Sequence, residues 1–291
     1  MNTTKFSRKS LLAFIEEFYR IWITERPGPL AGALAYYTIF SIVPITYIAV
    51  TIAGFFVDAS AATEQIIALG EEILGPQAVE TFQELVTVLA ERTQQNSTVM
   101  SVVSFGVLLF TASIIFFQLQ YVLNIIWRVP PPAQGGTQAF IRNRLVAFVM
   151  VLGVGPLLVV ATIISFVVSS LSSLLGLEAI VVVLTFVTYL GLATLFLAII
   201  YKYLPNAKIA WTDVWVGSFV TAVMITLALF LFALFFSSAR IDSALHIAGT
   251  ATAFLLGFFF FAQIFVIGAV FTRVYASVFG SKIIPMTDPT A

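Results

Sequence analysis

Apolar residues fill most of this chain in six long runs, separated by short polar interruptions and one longer acidic one. The runs cover residues 31–57, 99–126, 145–171, 179–201, 214–236 and 247–271, and none contains Asp, Glu, Lys or Arg. A helix needs about 20 apolar residues to cross the hydrocarbon layer of a bilayer. Lipid offers no water to the backbone, so a spanning segment must close its own hydrogen bonds. The pattern therefore predicts an all-α polytopic membrane protein: six transmembrane helices in a single integral-membrane domain over residues 1–291. Runs three and four are parted only by a Ser/Leu/Gly stretch around Ser172, Ser173 and Gly176, which predicts a tight hairpin.

Two stretches outside the spans have helical periodicity. In residues 10–24, Leu11, Phe14, Ile15, Phe18 and Trp22 recur on one side, while Glu16, Glu17 and Arg20 take the other. This is an amphipathic cytoplasmic helix, lying on the membrane surface or packed on the end of the bundle. Arg26-Pro27-Gly28-Pro29 is expected to break the chain before the first span. Residues 58–98, outside the membrane, are acidic, with Asp58, Glu64, Glu71, Glu72, Glu80, Glu84 and Glu91 against Arg92. Two amphipathic helices broken at Gly75-Pro76 are expected there. The second carries Val79, Phe82, Val86 and Leu89 as a stripe to cover the bundle mouth or a neighbouring subunit.

Charge adds orientation. Lys5, Arg8, Lys9, Arg20, Arg26, Arg128, Arg142, Arg144, Lys202, Lys208, Arg273 and Lys282 all flank one end of the six spans; of the 14 basic residues only Arg92 and Arg240 flank the other. Basic loops stay cytoplasmic. The expectation is a bacterial inner-membrane protein, multi-pass, with both termini in the cytoplasm. The first residues show no secretory signal pattern. Hydrophobic residues make up 60% of the chain and charged ones 10%, where a soluble domain carries about 25% charge. A net charge of zero gives no global field for nucleic acid, and the absence of cysteine excludes disulfides and thiolate metal sites.

Candidate chemistry is sparse. The one histidine, His246, sits at the outer end of the sixth span, and no His/Asp set, Gly-rich phosphate loop or Gly-x-Ser-x-Gly motif occurs. Catalysis needs convergent titratable groups, so no catalytic residue, metal site or cofactor is expected and the chain is not read as an enzyme. Uncharged polar residues inside the spans are more informative, because each needs a partner or a cavity. The first span holds Tyr36, Tyr37, Ser41 and Pro44, expected to form a partly polar wall facing the interior. The second ends in Gln118, Gln120 and Asn124; Gln120 and Asn124 share a helix face. The sixth carries Gln263, and the fourth Thr185, Thr188 and Tyr189. These residues are interhelical glue or the lining of a cavity. Arg128, Arg142, Arg144 and Arg273 at the basic end satisfy the positive-inside rule or grip an anionic headgroup. Asp213 is expected to cap the start of the fifth span with Thr212. Pro44, Gly153, Gly155 and Pro156 mark places where a span can kink.

Four segments carry a family resemblance: AGALAYYTIFSIVPI at residues 31–45, LNIIWRV at 123–129, YKYLPNAKIAW at 201–211 and QIFVIGAVFTRVYA at 263–276. Together, in this order and spacing, they resemble the YihY/BrkB family of bacterial inner-membrane proteins, whose members have been labelled ribonuclease BN-like. The resemblance implies six helices with both ends cytoplasmic. Relatives commonly carry an acidic residue after the Gly-Ala of the last motif, where this chain has Val270. The residues present do not support a ribonuclease, since they offer neither metal ligands nor a basic groove. The expected function is a transporter-like protein that binds or moves a lipid or other amphiphile, with membrane lipids as partners. The alternative is a scaffold or regulator of envelope assembly acting through residues 58–98, as a homo-oligomer or with an envelope protein.

Overall fold

A computed structural model describes residues 8–53, 55–56, 67, 98–129, 137–175, 178–238, 246–281 and 283–285. The acidic segment expected at 58–98 lies outside these residues except at positions 67 and 98. Seven helices are described: α1 (Arg8–Glu25), α2 (Pro27–Ala53), α3 (Thr98–Ile126), α4 (Thr137–Leu175), α5 (Glu178–Tyr203), α6 (Trp211–Ser238) and α7 (His246–Val278). Six of them, α2 to α7, are long and apolar enough to cross a membrane. A short antiparallel pairing of β1 (Ala207–Lys208) with β2 (Ile284–Pro285) ties the chain beyond α7 to the α5–α6 connection.

The helices outrun the apolar runs. α4 has 39 residues, a rise of about 58 Å against a hydrocarbon layer of about 30 Å. Helical hydrogen bonding does not require lipid, so α4 continues into polar sequence at its start. The break before the first span is narrower than expected. Arg26 alone leaves the helix, at φ 45°, while Pro27, Gly28 and Pro29 form the first turn of α2. Proline suits the first helical position because its missing N–H would have no partner there anyway.

α2 is the central helix, packed against α3, α4 and α7. α6 lies between α5 and α7, and α1 rests on α7. Close approach is bought with small residues, as in other membrane bundles. A Cβ on Gly155 of α4 would come within 2.7 Å of Ile52 on α2. α6 and α7 meet through two glycine–threonine contacts. Most buried or half-buried threonines need no interhelical partner. Thr38, Thr46, Thr51, Thr162, Thr194 and Thr226 each donate to the carbonyl four residues earlier in their own helix.

The deepest core lies where α3, α5, α6 and α7 converge. Tyr201, fully buried, donates its hydroxyl to the Phe265 carbonyl at 3.1 Å and lies 3.3 Å from Thr221 Oγ1. The Trp127 ring stands 6.0 Å from it, and Trp127 Nε1 donates to the Ala269 carbonyl at 3.1 Å. Val270, in the position where an acidic residue is common in relatives, is fully buried in this apolar packing. A charge there would have to be desolvated.

α1 packs one side on the end of the bundle. Phe14 packs on Phe271 and Phe279, and Ile21 is fully buried. Leu12, Ile15, Tyr19 and Ile23 form a second apolar face, which is exposed. Asp213 does a different job from the expected cap: its Oδ2 accepts from both the N–H and the hydroxyl of Ser281, each at 2.9 Å. The carboxylate thereby anchors the chain leaving α7, while its Oδ1 accepts from the Thr212 hydroxyl at 3.4 Å in the first turn of α6.

Candidate functional site: a groove between α4 and α5

One face of α4 is left partly uncovered. Arg142, Leu145, Val149, Gly153, Pro156 and Val160 recur at spacings of three or four, the stripe of a single helix face. Opposite them stand Phe196, Ile199 and Tyr203 of α5. Between the two helices lies a groove of about 730 Å³. Toward the hairpin the helices are tied by Ser165 Oγ and Tyr189 Oη, 3.3 Å apart. Toward the basic end they leave the groove open. Its stripe on α4 rises about 27 Å from Arg142 to Val160, close to the thickness of the hydrocarbon layer.

Local sequence makes this face. Gly153 adds no side chain, and a Cβ there would meet nothing within 4 Å. Pro156 has no N–H to donate to the Leu152 carbonyl, which loosens the helix at the middle of the groove. The remaining lining is Val, Leu, Ile, Phe and Met, so the wall is apolar along its length.

The mouth is polar. Arg142 donates from Nη2 to Asn206 Oδ1 at 2.9 Å. Asn206 is buried, and its own N–H donates to Asn124 Oδ1 at 2.9 Å. One helical turn away on α3, Gln120 Nε2 donates to the Leu204 carbonyl at 2.6 Å. The shared face of Gln120 and Asn124 is thus spent on the α5–α6 connection, and through Asn206 it steadies Arg142. Tyr203 at the mouth contacts Trp211, which in turn contacts Trp215; all three are exposed.

The structure disperses the other candidates. Tyr36 is exposed and packs on Phe40, while Tyr37 packs against the core. Ser41 and Pro44 are buried, and Ser41 Oγ donates to the Thr111 carbonyl at 3.3 Å. Gln118 is half-buried, and Gln263 has a buried Oε1 with no partner among the described residues. None of Tyr36, Tyr37, Ser41, Pro44, Gln118, Asn124 and Gln263 lines the groove. The arginines separate as well. Arg144 turns to α3, where its guanidinium lies 3.8 Å over the Phe110 ring and donates to the Phe110 carbonyl. Arg128 Nε pairs with Glu25 Oε1 at 2.6 Å, and Arg273 stands 3.9 Å from the same oxygen while donating to the Ile126 carbonyl. Arg142 is the arginine that reaches the groove.

Glu25 closes α1 and so binds the surface helix to the ends of α3 and α7. Arg128 follows α3 with φ 52°, in a cap where the Arg128 N–H donates to Ile125 and the Val129 N–H to Asn124. Glycine normally takes this left-handed position. Among the described residues no group of three or more His, Cys, Asp or Glu is placed to hold a metal ion.

Three of the four resemblance segments meet at the Trp127–Tyr201–Ala269 junction, a whole-fold relationship rather than a local motif. The family model for virulence factor BrkB matches residues 24–285. The chain belongs to the BrkB family. Its relatives include a UPF0761 membrane protein of Delftia acidovorans, 25% identical over 253 residues, a match covering 85% of this chain and 58% of the relative. One of Kangiella koreensis is 22% identical, over 78% of this chain and 54% of the relative. One of Photobacterium profundum is 27% identical, over 79% and 70%. The chain spans somewhat more than half the length of the first two. No solved structure matches it.

Proposed function

We propose that this BrkB-family protein is a transporter-like protein of the bacterial inner membrane that binds, and moves, a lipid or other amphiphile along the α4–α5 groove. The groove carries the proposal: it is apolar, it lies between two membrane-spanning helices, and its α4 stripe rises about 27 Å. A chain entering from lipid leaves no water behind, so the hydrophobic effect contributes little; what it gains is packing against a shaped wall. Such a site discriminates by fit and by its polar end rather than by raw affinity.

The basic end is proposed to face the cytoplasm, with both termini there, from the distribution of Lys and Arg. The proposal involves no catalytic step, cofactor or nucleic acid. The scaffold alternative rests on residues 58–98 and makes the opposite expectation for groove variants.

Translocation of a fluorescent phospholipid in proteoliposomes tests the proposal. The native chain is expected to exceed protein-free vesicles, and Val149→Trp, which fills the groove from an exposed position, to return the rate to background. A native rate above background that Val149→Trp and Gly153→Phe leave unchanged would contradict the groove, and a native rate no higher than that of protein-free vesicles would favour the scaffold.

A further inference from the structure

The groove is apolar along its length and cationic at one end. That end lies at a definite depth. Tyr203, Trp211 and Trp215 are exposed amphipathic rings in contact with one another at the start of α6 and the end of α5. Such rings settle at the boundary between acyl chains and headgroups. Tyr203 also lines the groove beside Arg142, so the guanidinium stands at headgroup level and not in the chain region.

Arg142 is also prepared for a ligand. A guanidinium carries five N–H donors. Asn206 holds Nη2, and among the described residues no carboxylate pairs with the group. Arg128 and Arg273 share Glu25, and Arg20 pairs with Glu17. Arg144 is engaged by Phe110, and the Lys202 ammonium donates to the Ile209 carbonyl at 2.5 Å. Among the described residues Arg142 therefore keeps unfilled donors, exposed, on a tether that fixes its direction. An oxyanion is the complement such a fork accepts best.

We infer that the groove selects an amphiphile whose headgroup carries net negative charge, a bilayer lipid of the anionic class, and that Arg142 sets this selectivity. The acyl chain lies along Leu145, Val149, Gly153 and Val160, and the headgroup oxyanion bonds the guanidinium. Asn206 and Asn124 act as positioning residues. This inference rests on the groove proposed above and adds the identity of its polar end.

The test is binding of lipids to the purified full chain in detergent, using phosphatidylglycerol and phosphatidylcholine with identical acyl chains. Both headgroups offer a phosphate oxyanion, but choline sets a second cation beside the guanidinium, so phosphatidylglycerol is expected to bind about tenfold tighter. Arg142→Gln is expected to abolish that advantage, bringing phosphatidylglycerol down to the affinity of phosphatidylcholine. Arg142→Lys is expected to restore part of it, keeping the charge without the fork. Glycerol phosphate, which lacks the chain, is expected not to compete; competition would make this a soluble-anion site and overturn the inference. Val149→Trp and Gly153→Phe are expected to weaken both lipids alike. If they do so while Arg142→Gln keeps the preference for phosphatidylglycerol, the headgroup inference fails and the groove stands. If they leave both lipids bound as tightly as before, the groove itself fails.

Discussion

Thr272 of α7 stands directly over Gly217 of α6: a Cβ on Gly217 would lie 2.0 Å from Thr272 Oγ1 and 2.7 Å from its Cβ. The relation is repeated in reverse, with Thr221 of α6 over Gly268 of α7 at the same 2.0 Å and its Cβ at 2.8 Å. Each threonine donates to its own helix's glycine carbonyl at 2.7 Å, Thr221 to Gly217 and Thr272 to Gly268. The hydroxyls are thus satisfied within a helix, and the two backbones can touch without a buried polar cost.

Gly217→Ala and Gly268→Ala are accordingly expected to destabilise the protein. The obstructing atoms include β-carbons, which cannot swing away, so overpacking should cost about 1–3 kcal/mol at each site. Gly191→Ala, with nothing within 4 Å of the added methyl, is the control and should be neutral or slightly stabilising. Thermal unfolding of the purified variants in detergent checks this; equal effects at all three sites would refute the close contact.

Arg128 offers a substitution in the other direction. A non-glycine residue at φ 52° carries about 1–2 kcal/mol of strain. Its ion pair with Glu25 is 42% exposed on the arginine side and so is worth about 0–1 kcal/mol after screening. The strain is the larger quantity. Arg128→Gly is expected to melt at or above the native temperature, and Arg128→Ala below it. The reverse order in a melting assay would show that the pair outweighs the backbone.

Gln120 and Asn124 hold one connection from one helix face. Replacing either by Leu leaves a buried backbone group at Leu204 or Asn206 without its partner, at about 1–3 kcal/mol. Because both act on the same short segment, the double variant should cost less than the sum of the two. Additive losses in denaturation experiments would separate the two bonds.

Orientation can be read from single cysteines, since the native chain has none. Cysteine replacing Glu16 is expected to react with an impermeant maleimide only after spheroplasts are lysed, and cysteine replacing Phe56 before lysis. The opposite pattern would invert the protein.

Much of the fold was legible in the sequence because lipid imposes a simple rule: a run of about 20 apolar residues must be a closed helix. Gln120 and Asn124 were legible as one face, but their partners Leu204 and Asn206 lie more than 80 residues away, and no local pattern announces them. Grouping Arg142 with Arg144 overlooked helix geometry. Two residues apart is a rotation of about 200°, so one points to the groove and the other to α3. The groove was hidden for a different reason. A helix face that meets lipid and one that lines an apolar groove call for the same residues, so Leu145, Val149 and Val160 carry no signature of their own. Gly153 and Pro156 were the visible trace, as positions where α4 thins and loosens. Arg26 and Arg128 were also invisible, because a left-handed arginine looks like any other in sequence.

A high-resolution structure of the full chain in lipid nanodiscs containing phosphatidylglycerol measures the main point most directly. The expected result is one ordered acyl chain along Leu145, Val149, Gly153 and Val160, its headgroup against Arg142. A bundle with annular lipid resolved elsewhere but α4 and α5 closed together, or the groove without ordered lipid, would contradict it.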